Sequence, residues 1–138
     1  MKETISFHIM TLYKDFLSYT SKALKEHGVN FGQIPLILYV GKHNCCSQAN
    51  LTKALKLDWG YSQRCITKLV NKDLLIKEYN DNISCNALRL TKKGQEIFDM
   101  CHDVFYSWDE ITTKALSTEE KEMLFTLLAK ISTDLKED

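Results

Sequence analysis

The sequence predicts a mainly α-helical protein with a small β-hairpin, which is an α+β fold. Its 138 residues include one proline and five glycines, so few positions interrupt a helix. Apolar residues recur at helical spacing along most of the chain, and a strand-like pattern replaces that spacing only between residues 74 and 90. A chain of this length can bury one core, so we expect a single domain over residues 1–138.

Two helices are expected in the first third of the chain. The first covers residues 3–26 and ends at Gly28, because glycine readily adopts the left-handed conformation that closes a helix. Asn30 can cap the second helix, which extends to about Lys42. Pro35 is compatible with a helix only in its first turn, so the second helix is expected to begin late.

Two shorter helices follow, and each has its own N-cap residue. Ser47 caps the third helix and Asp58 the fourth, since both side chains can accept a hydrogen bond from a first-turn backbone N–H. The fourth helix, within "DWGYSQRCITKLV", is expected to end near Lys72. The residues expected to face the core are Leu51, Ala54 and Leu55 in the third helix and Trp59, Ser62, Ile66, Leu69 and Val70 in the fourth.

The pattern then changes to that of a hairpin and returns to helix. Residues 74–79 and 86–90 are short strand-like segments, and the polar "NDNISC" between them predicts a turn. Residues 92–113 return to helical spacing, and Ser117 with Glu120 forms a capping box that opens the last helix. A helix-turn-helix followed directly by a hairpin is the arrangement of a winged helix.

The two ends of the chain are more apolar than a winged helix-turn-helix core requires. Long apolar stripes on the first and last helices suggest that these helices pack against each other and against a second copy of the chain. We therefore expect a winged helix core at residues 29–94, with long dimerisation helices at residues 1–28 and 95–138.

Charge is unevenly distributed, although the net charge of the chain is zero. Residues 42–93 hold ten Lys and Arg residues against four acids, which is an excess of six positive charges. Such a distribution focuses positive potential on one region of the molecule. In this segment Tyr61, Arg64 and Lys68 share the polar face of the fourth helix, at spacings of three and four residues.

Residues 29–78, together with "LRLTKKG" at residues 88–94, resemble the MarR family of bacterial transcriptional regulators. "SQANLTKALKLD" is similar to the family's third helix, and "YSQRCITKLVNKDLL" to its recognition helix and the exit into the first wing strand. Thr91 matches the residue that caps the helix after the wing. The resemblance implies a homodimer with interlocked first and last helices. It also implies that two recognition helices enter successive major grooves of a pseudo-palindromic DNA site.

On this interpretation the protein is a sequence-specific transcriptional regulator whose partner is double-stranded DNA. Arg64 can form two parallel hydrogen bonds to guanine, and Lys68 can act as a point charge on a phosphate. Backbone N–H groups at the start of the third helix can also meet a phosphate. The DNA-binding candidates are Ser47, Gln48, Tyr61, Gln63, Arg64, Thr67 and Lys68.

The wing departs from the family pattern. The family's wing carries an aspartate and an arginine between its strands, and that arginine enters the minor groove, whereas "NDNISCN" holds no Arg or Lys. Asp73 stands where a glycine is usual before the wing, and Gly60 and Tyr61 stand where small hydroxyl residues are usual. We therefore expect the wing to contribute little to DNA affinity, and the family's operator preferences do not carry over.

Five cysteines raise the alternative of a regulator that senses thiol oxidation or a metal. Cys65 on the recognition helix and Cys85 in the wing are the redox candidates, because oxidation of either could disturb DNA binding. A redox sensor needs an exposed thiol of low pKa, and reduced thiols in the core are the simpler interpretation. "HNCC" at residues 43–46 lacks a second close Cys/His pair other than Cys101 and His102, so no metal or cofactor is expected.

Relatives in the resembled family often release DNA when an effector binds. Aromatic residues on the outer helices could line a cavity for a small-molecule effector, although ordinary core packing gives the same spacing. The candidate effector residues are Tyr13, Phe16, Tyr19, Tyr106 and Trp108.

Other functional classes fit the sequence less well. Adjacent helical residues such as Cys101 and His102 point about 100° apart and cannot share a proton, and the chain contains no Gly-rich phosphate loop, HExxH or GxSxG motif. We therefore expect no enzyme. A winged helix that binds only protein is the alternative, which the basic fourth helix disfavours. No segment reaches the ~18 apolar residues of a membrane span, and the N-terminus lacks a signal-peptide pattern, so a cytoplasmic protein without a membrane partner is expected.

Overall fold

Helices dominate the fold and a small antiparallel sheet completes it, which confirms the predicted fold class. The structure is a computed structural model, and it describes residues 3–136, with the side chains of residues 3–133. The helices are α1 (Ile5–Leu24), α2 (Ile34–Lys42), α3 (Gln48–Ala54), α4 (Trp59–Asn71), α5 (Lys92–Thr112) and α6 (Thr118–Lys136). The strands are β1 (Cys46–Ser47), β2 (Leu75–Asn80) and β3 (Cys85–Leu90), and 3-10 turns cover Lys25–His27 and Phe31–Gln33.

The helix ends predicted near residue 30 are confirmed, with one refinement. Gly28 has φ 69°, the left-handed conformation expected after α1. Asn30 forms a capping box with Gln33, but the box opens the 3-10 turn Phe31–Gln33 and not α2 itself. Pro35 then lies in the first turn of α2, where its missing N–H costs nothing.

The N-caps of the later helices are confirmed as well. The Ser47 hydroxyl accepts from the Asn50 backbone N–H at 3.0 Å, and the Asp58 carboxylate accepts from that of Tyr61 at 3.1 Å. Ser117 and Glu120 exchange two hydrogen bonds, of 2.9 and 3.2 Å, at the start of α6. The Ser117 backbone N–H, which donates to the Glu120 carboxylate, lowers the pKa of that carboxyl most, and the Ser117 hydroxyl lowers it further.

The sheet has three strands, where the sequence predicted only a two-stranded hairpin. β2 and β3 form the hairpin, with Leu75 opposite Leu90 and Asn80 opposite Cys85. The two residues of β1 add to the other edge of β3, so the order is β1-β3-β2. A strand of two residues is too short to show a period, and the sequence pattern therefore missed it.

The inward faces of α3 and α4 were predicted with three errors. Ala54, Trp59 and Val70 are exposed, the last two by 53% and 37%. The buried stripe of α4 follows the spacing i, i+3, i+4, i+7, which excludes Val70, and Trp59 lies beyond its N-terminal end. The residues that fill these faces are Leu51 and Thr52 of α3, with Leu55 half-buried, and Ser62, Cys65, Ile66 and Leu69 of α4.

The exit of α4 and the start of α5 are joined at one junction. The Thr91 hydroxyl donates to the Asp73 carbonyl at 2.6 Å and accepts from the Gly94 backbone N–H at 2.9 Å. Asp73 has φ 60°, a left-handed conformation that explains why glycine is usual at this position in the resembled family. A Cβ atom on Gly94 would collide with the carbonyl oxygen of Leu74. The segment "LTKKG" therefore packs the start of α5 directly against the start of β2.

The chain divides into two compact units between Phe105 and Tyr106. The first unit holds α1 to β3 and most of α5, and its core is formed by apolar residues of α2, α3, α4, β2 and β3 with the end of α1 and the start of α5. The second unit holds the end of α5 and α6. Among the described residues, no helix combines the length and hydropathy that crossing a bilayer requires.

Candidate nucleic-acid interface

A buried pair of hydroxyls links α3 to α4. Thr52 Oγ1 and Ser62 Oγ lie 2.7 Å apart, and both residues are buried. Two hydroxyls enclosed in an apolar core satisfy each other, and separating them would leave both without a partner. The pair therefore fixes the orientation of α4 against α3 near the N-terminal half of α4.

The opposite side of α4 is exposed and basic. The five α4 residues predicted to bind DNA all lie on it, and they are Tyr61, Gln63, Arg64, Thr67 and Lys68. After its N-cap residue Asp58, α4 contains no acid. None of the ion pairs formed by the described side chains involves Arg64 or Lys68. Both cations are thus free to meet an external anion.

Tyr61 differs from its neighbours on this side of the helix. Cys65, one turn later on α4, raises the pKa of the Tyr61 hydroxyl. The same oxygen lies 3.4 Å from the point that a Cβ on Gly32 would occupy, so the phenol leans from α4 towards the 3-10 turn before α2. Tyr61 remains 40% exposed, so part of it is accessible from the solvent.

The two candidates at the start of α3 are engaged with the protein itself. Ser47 is half-buried and its hydroxyl caps α3. Gln48 is buried; its Oε1 accepts from Lys77 Nζ at 3.4 Å, while its Nε2 has no hydrogen-bond partner among the described residues. The structure thus brings Lys77 of β2 to the start of α3. The charge pattern of residues 42–93 includes this cation, but the pattern alone does not predict that it lies at the interface.

The wing offers little positive charge at its tip. Asp81–Ser84 connect β2 to β3, with Ser84 at φ 54° and the apolar Ile83 exposed. The nearest arginine is Arg89, whose guanidinium lies 3.4 Å from the Glu78 carboxylate. The positive charge of Arg89 is therefore partly neutralised by a neighbour on the adjacent strand.

The aromatic residues proposed to line an effector cavity fall into two groups. In the first unit, Phe16 packs edge-on against Phe31 and Phe105, with ring centroids 5.8 and 5.1 Å apart, and Tyr13 contacts Phe31 at 6.0 Å. Tyr19 is half-buried in the same unit. The other two candidates, the exposed Tyr106 and the half-buried Trp108, belong to the second unit. Phe31 and Phe105, which the sequence analysis passed over, complete the first group.

The cysteines are unpaired and differ in accessibility. Cys46, Cys65 and Cys101 are buried, whereas Cys45 and Cys85 are half-buried. Burial raises the pKa of Cys101 to about 11 and also raises the pKa of Cys46. Among the described side chains of residues 3–133, no three His, Cys, Asp or Glu residues converge as a metal site would require. His43 of "HNCC" instead stacks on Tyr39, at a centroid distance of 4.2 Å.

Alkylation of the native protein at about pH 8 should modify Cys45 and Cys85 first and leave Cys101 unmodified, because only the thiolate reacts and Cys101 remains protonated well above that pH. Peptide mass spectrometry after iodoacetamide treatment measures the order. Denatured protein is the control, in which all five thiols should react. Equal rates for Cys85 and Cys101 in the native protein would contradict the burial described here.

Comparison with known proteins gives relatives along nearly the whole chain. No protein-family model matches it. The HTH-type transcriptional regulator BilQ of Clostridium symbiosum is 32% identical over 132 residues, which cover 95% of this chain and 92% of the relative. The protein of the same name from Clostridioides difficile is 31% identical over 127 residues, covering 91% and 86% of the two chains.

Solved structures share the fold. The crystal structure of a MarR protein superposes with a TM-score of 0.86 over 97% of this chain and 92% of its own, at 13% identity. A MarR transcriptional regulator from Methanosarcina mazei gives 0.82 over 100% and 94%, at 26% identity. A putative MarR family regulator from Listeria monocytogenes, solved in complex with a 26mer DNA, gives 0.82 over 100% and 92%, at 24% identity.

A helix pair joined by buried hydroxyls and followed by a hairpin is a winged helix-turn-helix, and the relatives of 32% and 31% identity are transcriptional regulators of the HTH type. The relatives agree with that class. The chain belongs to the MarR family, as the resemblance in residues 29–78 and 88–94 predicted.

Proposed function

We propose that the protein acts in the cytoplasm as a homodimer that binds a pseudo-palindromic DNA site, with α4 of each subunit in the major groove. The observation that carries the proposal is the exposed Arg64 and Lys68 side of a helix whose other side is held in the core. A helix so fixed can present cations to DNA without reorganising, since the Thr52–Ser62 pair already sets its orientation.

The two cations of α4 have different roles in this proposal. Arg64 lies in the N-terminal half of α4, which enters deepest into the major groove in helix-turn-helix proteins. Its planar guanidinium can form two hydrogen bonds with guanine O6 and N7. Lys68 lies one turn later, where α4 leaves the groove, and its ammonium suits the sugar-phosphate backbone. Gln63 and Thr67 flank this pair and can add polar contacts.

Lys77 extends the proposed surface to the base of the wing. Its ammonium lies beside Gln48 at the start of α3, and the residue before Gln48 is the half-buried Ser47. A cation at this position can neutralise a phosphate next to the groove that α4 occupies. The wing would then contribute through the base of β2, and its tip would add little.

The terminal helices supply the proposed dimer interface. Many large apolar side chains are exposed on α1, and many others are exposed on α6. Apolar residues scattered singly over the surface of a monomer would not account for so many on two helices. On α1 they are Ile5, Phe7, Ile9, Met10, Leu12 and Tyr13. On α6 they are Met123, Leu124, Phe125, Leu127, Leu128 and Ile131. Burial of these faces in a second copy would stabilise a two-fold dimer and give DNA two recognition helices.

Selection of bound fragments from random duplex DNA by the purified full-length protein tests the proposed function. We expect a two-fold symmetric sequence whose half-sites are about one helical turn apart. Recovery of single half-sites would remove the dimer from the proposal. Failure to enrich any sequence would favour the alternative of a winged helix that binds protein.

The double variant Ile9→Glu, Leu127→Glu should be monomeric at concentrations where the wild-type chain is dimeric, because each carboxylate would have to be buried without a partner. Ile83→Glu at the wing tip is the matched control, since it makes the same change at an exposed apolar residue elsewhere. Sedimentation velocity at micromolar concentration measures the result. A monomeric wild-type chain, or a double variant that stays dimeric, would refute this assignment of the interface.

A further inference from the structure

The ammonium of Lys72 joins three elements of the first unit. Lys72 is the residue that follows α4, and its Nζ donates to the Gly28 carbonyl at 2.6 Å and to Gln33 Oε1 at 3.3 Å. Gly28 closes the first helix, and Gln33 ends the 3-10 turn that leads into α2. One side chain from the end of α4 therefore reaches the connection between α1 and α2.

The acceptors of Lys72 are held in place by their own contacts. Gly28 is fixed in a left-handed conformation, with its N–H bonded to the Lys25 carbonyl. Gln33 is only 3% exposed, and its Oε1 also accepts from the Asn30 backbone N–H at 3.3 Å, while its own N–H donates to Asn30 Oδ1. Lys72 thus meets a rigid pair of oxygens, and its bonds cost little ordering of the partner side.

The contacts of Lys72 and of Ser62 hold α4 at opposite ends. Near its N-terminal half, Ser62 is bonded to Thr52 of α3. At its C-terminal end, Lys72 closes the last helical turn with a backbone bond to Lys68, and the chain then turns sharply at Asp73. These polar contacts at its two ends act together with the core packing of Cys65, Ile66 and Leu69 in fixing the direction of α4. The Lys72 contacts tie that direction to α1.

We propose that Lys72 is a positioning residue that sets the direction of the recognition helix relative to α1, and with it the spacing of half-sites that the dimer accepts. This inference rests on the proposed function, in which α1 forms part of the dimer interface. Both oxygens that Lys72 contacts are neutral acceptors of the protein itself, and the Lys72 side chain is exposed. Lys68, one turn earlier, is exposed too, but its ammonium forms none of the ion pairs of the described side chains, so we assign the two lysines different roles.

The test uses the full-length dimer and the DNA site recovered by selection, with variants of the site that have one base pair inserted or removed at the centre. Wild-type protein should prefer the selected spacing by roughly tenfold or more, because two rigid helices must enter successive grooves in phase. Lys72→Met should reduce that preference to within about threefold while leaving the slope of affinity against salt unchanged. Lys72→Arg should restore the preference, since its donors can reach both oxygens.

Lys42→Met is the matched control, because it removes the same charge from an exposed position at the end of α2. It should leave the spacing preference intact. Should Lys72→Met fail to fold by circular dichroism, Lys72→Gln gives the same measurement, since its shorter side chain cannot span both acceptors.

An unchanged spacing preference in Lys72→Met overturns the inference. So does a lower salt slope with the preference intact, which would make Lys72 a phosphate contact. If the wild-type chain itself selects no symmetric site, the proposed function fails, and this inference fails with it. The results for the wild-type chain and for the variant therefore distinguish the two failures.

Discussion

Arg64→Ala is expected to weaken binding to the selected DNA site by about 1–3 kcal/mol and to relax the base preference at one base pair in each half-site. The Arg64 side chain is exposed, forms none of the ion pairs of the described residues and lies in the N-terminal half of α4, which we propose enters the groove deepest. Alanine would remove both proposed hydrogen bonds to guanine and would leave the helix itself intact, because alanine is a strong helix former.

Lys68→Ala serves as the comparison for Arg64→Ala. Loss of the Lys68 ammonium should weaken binding to the selected site and to random duplex about equally. It should also lower the slope of log affinity against log salt concentration by roughly one per subunit. Salt titrations of both variants on both DNAs separate base recognition from phosphate neutralisation. An Arg64→Ala protein with unchanged affinity and base preference would show that this side of α4 does not enter the groove.

Gly94→Ala is expected to cause the largest loss of folding stability among single-methyl changes, about 3 kcal/mol or more. A Cβ atom at Gly94 meets the backbone carbonyl of Leu74, which cannot move away without breaking its bond to the Thr91 N–H. The strain therefore falls on the junction between the exit of α4 and the start of α5. Urea denaturation followed by circular dichroism measures the free energy of unfolding.

Gly60→Ala is the matched control for Gly94→Ala. A Cβ at Gly60, within the first turn of α4, would lie 3.3 Å from Arg64 Nη1, the end of a flexible side chain that can move aside. It would also lie 3.3 Å from Asp58 Oδ2, which needs to shift by only a few tenths of an ångström and can keep its bond to the Tyr61 N–H. Because alanine favours helix over glycine by about 1 kcal/mol, this variant should be as stable as the wild-type chain or more so. A loss below about 1 kcal/mol for Gly94→Ala would mean that the junction can open without cost.

Local chemistry explains why so many helix ends were predictable. Ser47, Asp58 and Ser117 cap their helices through backbone groups within three residues, so the sequence alone contains both partners of each bond. The polar side of α4 was predictable for a related reason, because residues three and four positions apart lie on the same face of a helix. The strand β1 was not, because its two residues owe their conformation to pairing with β3, about forty residues later.

The candidate site shows the same division between near and distant partners. Exposure of Arg64 and Lys68 follows from period, and it was predicted correctly. The burial of Gln48 against Lys77 and the contacts of Lys72 with Gly28 depend on residues about thirty and forty positions away. Trp59 was assigned inward because of its size and spacing, but no neighbouring element covers the first turn of α4 well enough to bury it.

The hydroxyl pair between α3 and α4 also constrains how the sequence can diverge. Replacing only Thr52 or only Ser62 by an apolar residue leaves the other hydroxyl buried without a partner, which costs about 1–3 kcal/mol. Replacing Thr52 by valine and Ser62 by alanine together leaves no buried hydroxyl without a partner, so the free energy of unfolding can be nearly unchanged. The two positions, ten residues apart, should therefore be inherited together, and descendants of this chain should keep both hydroxyls or neither.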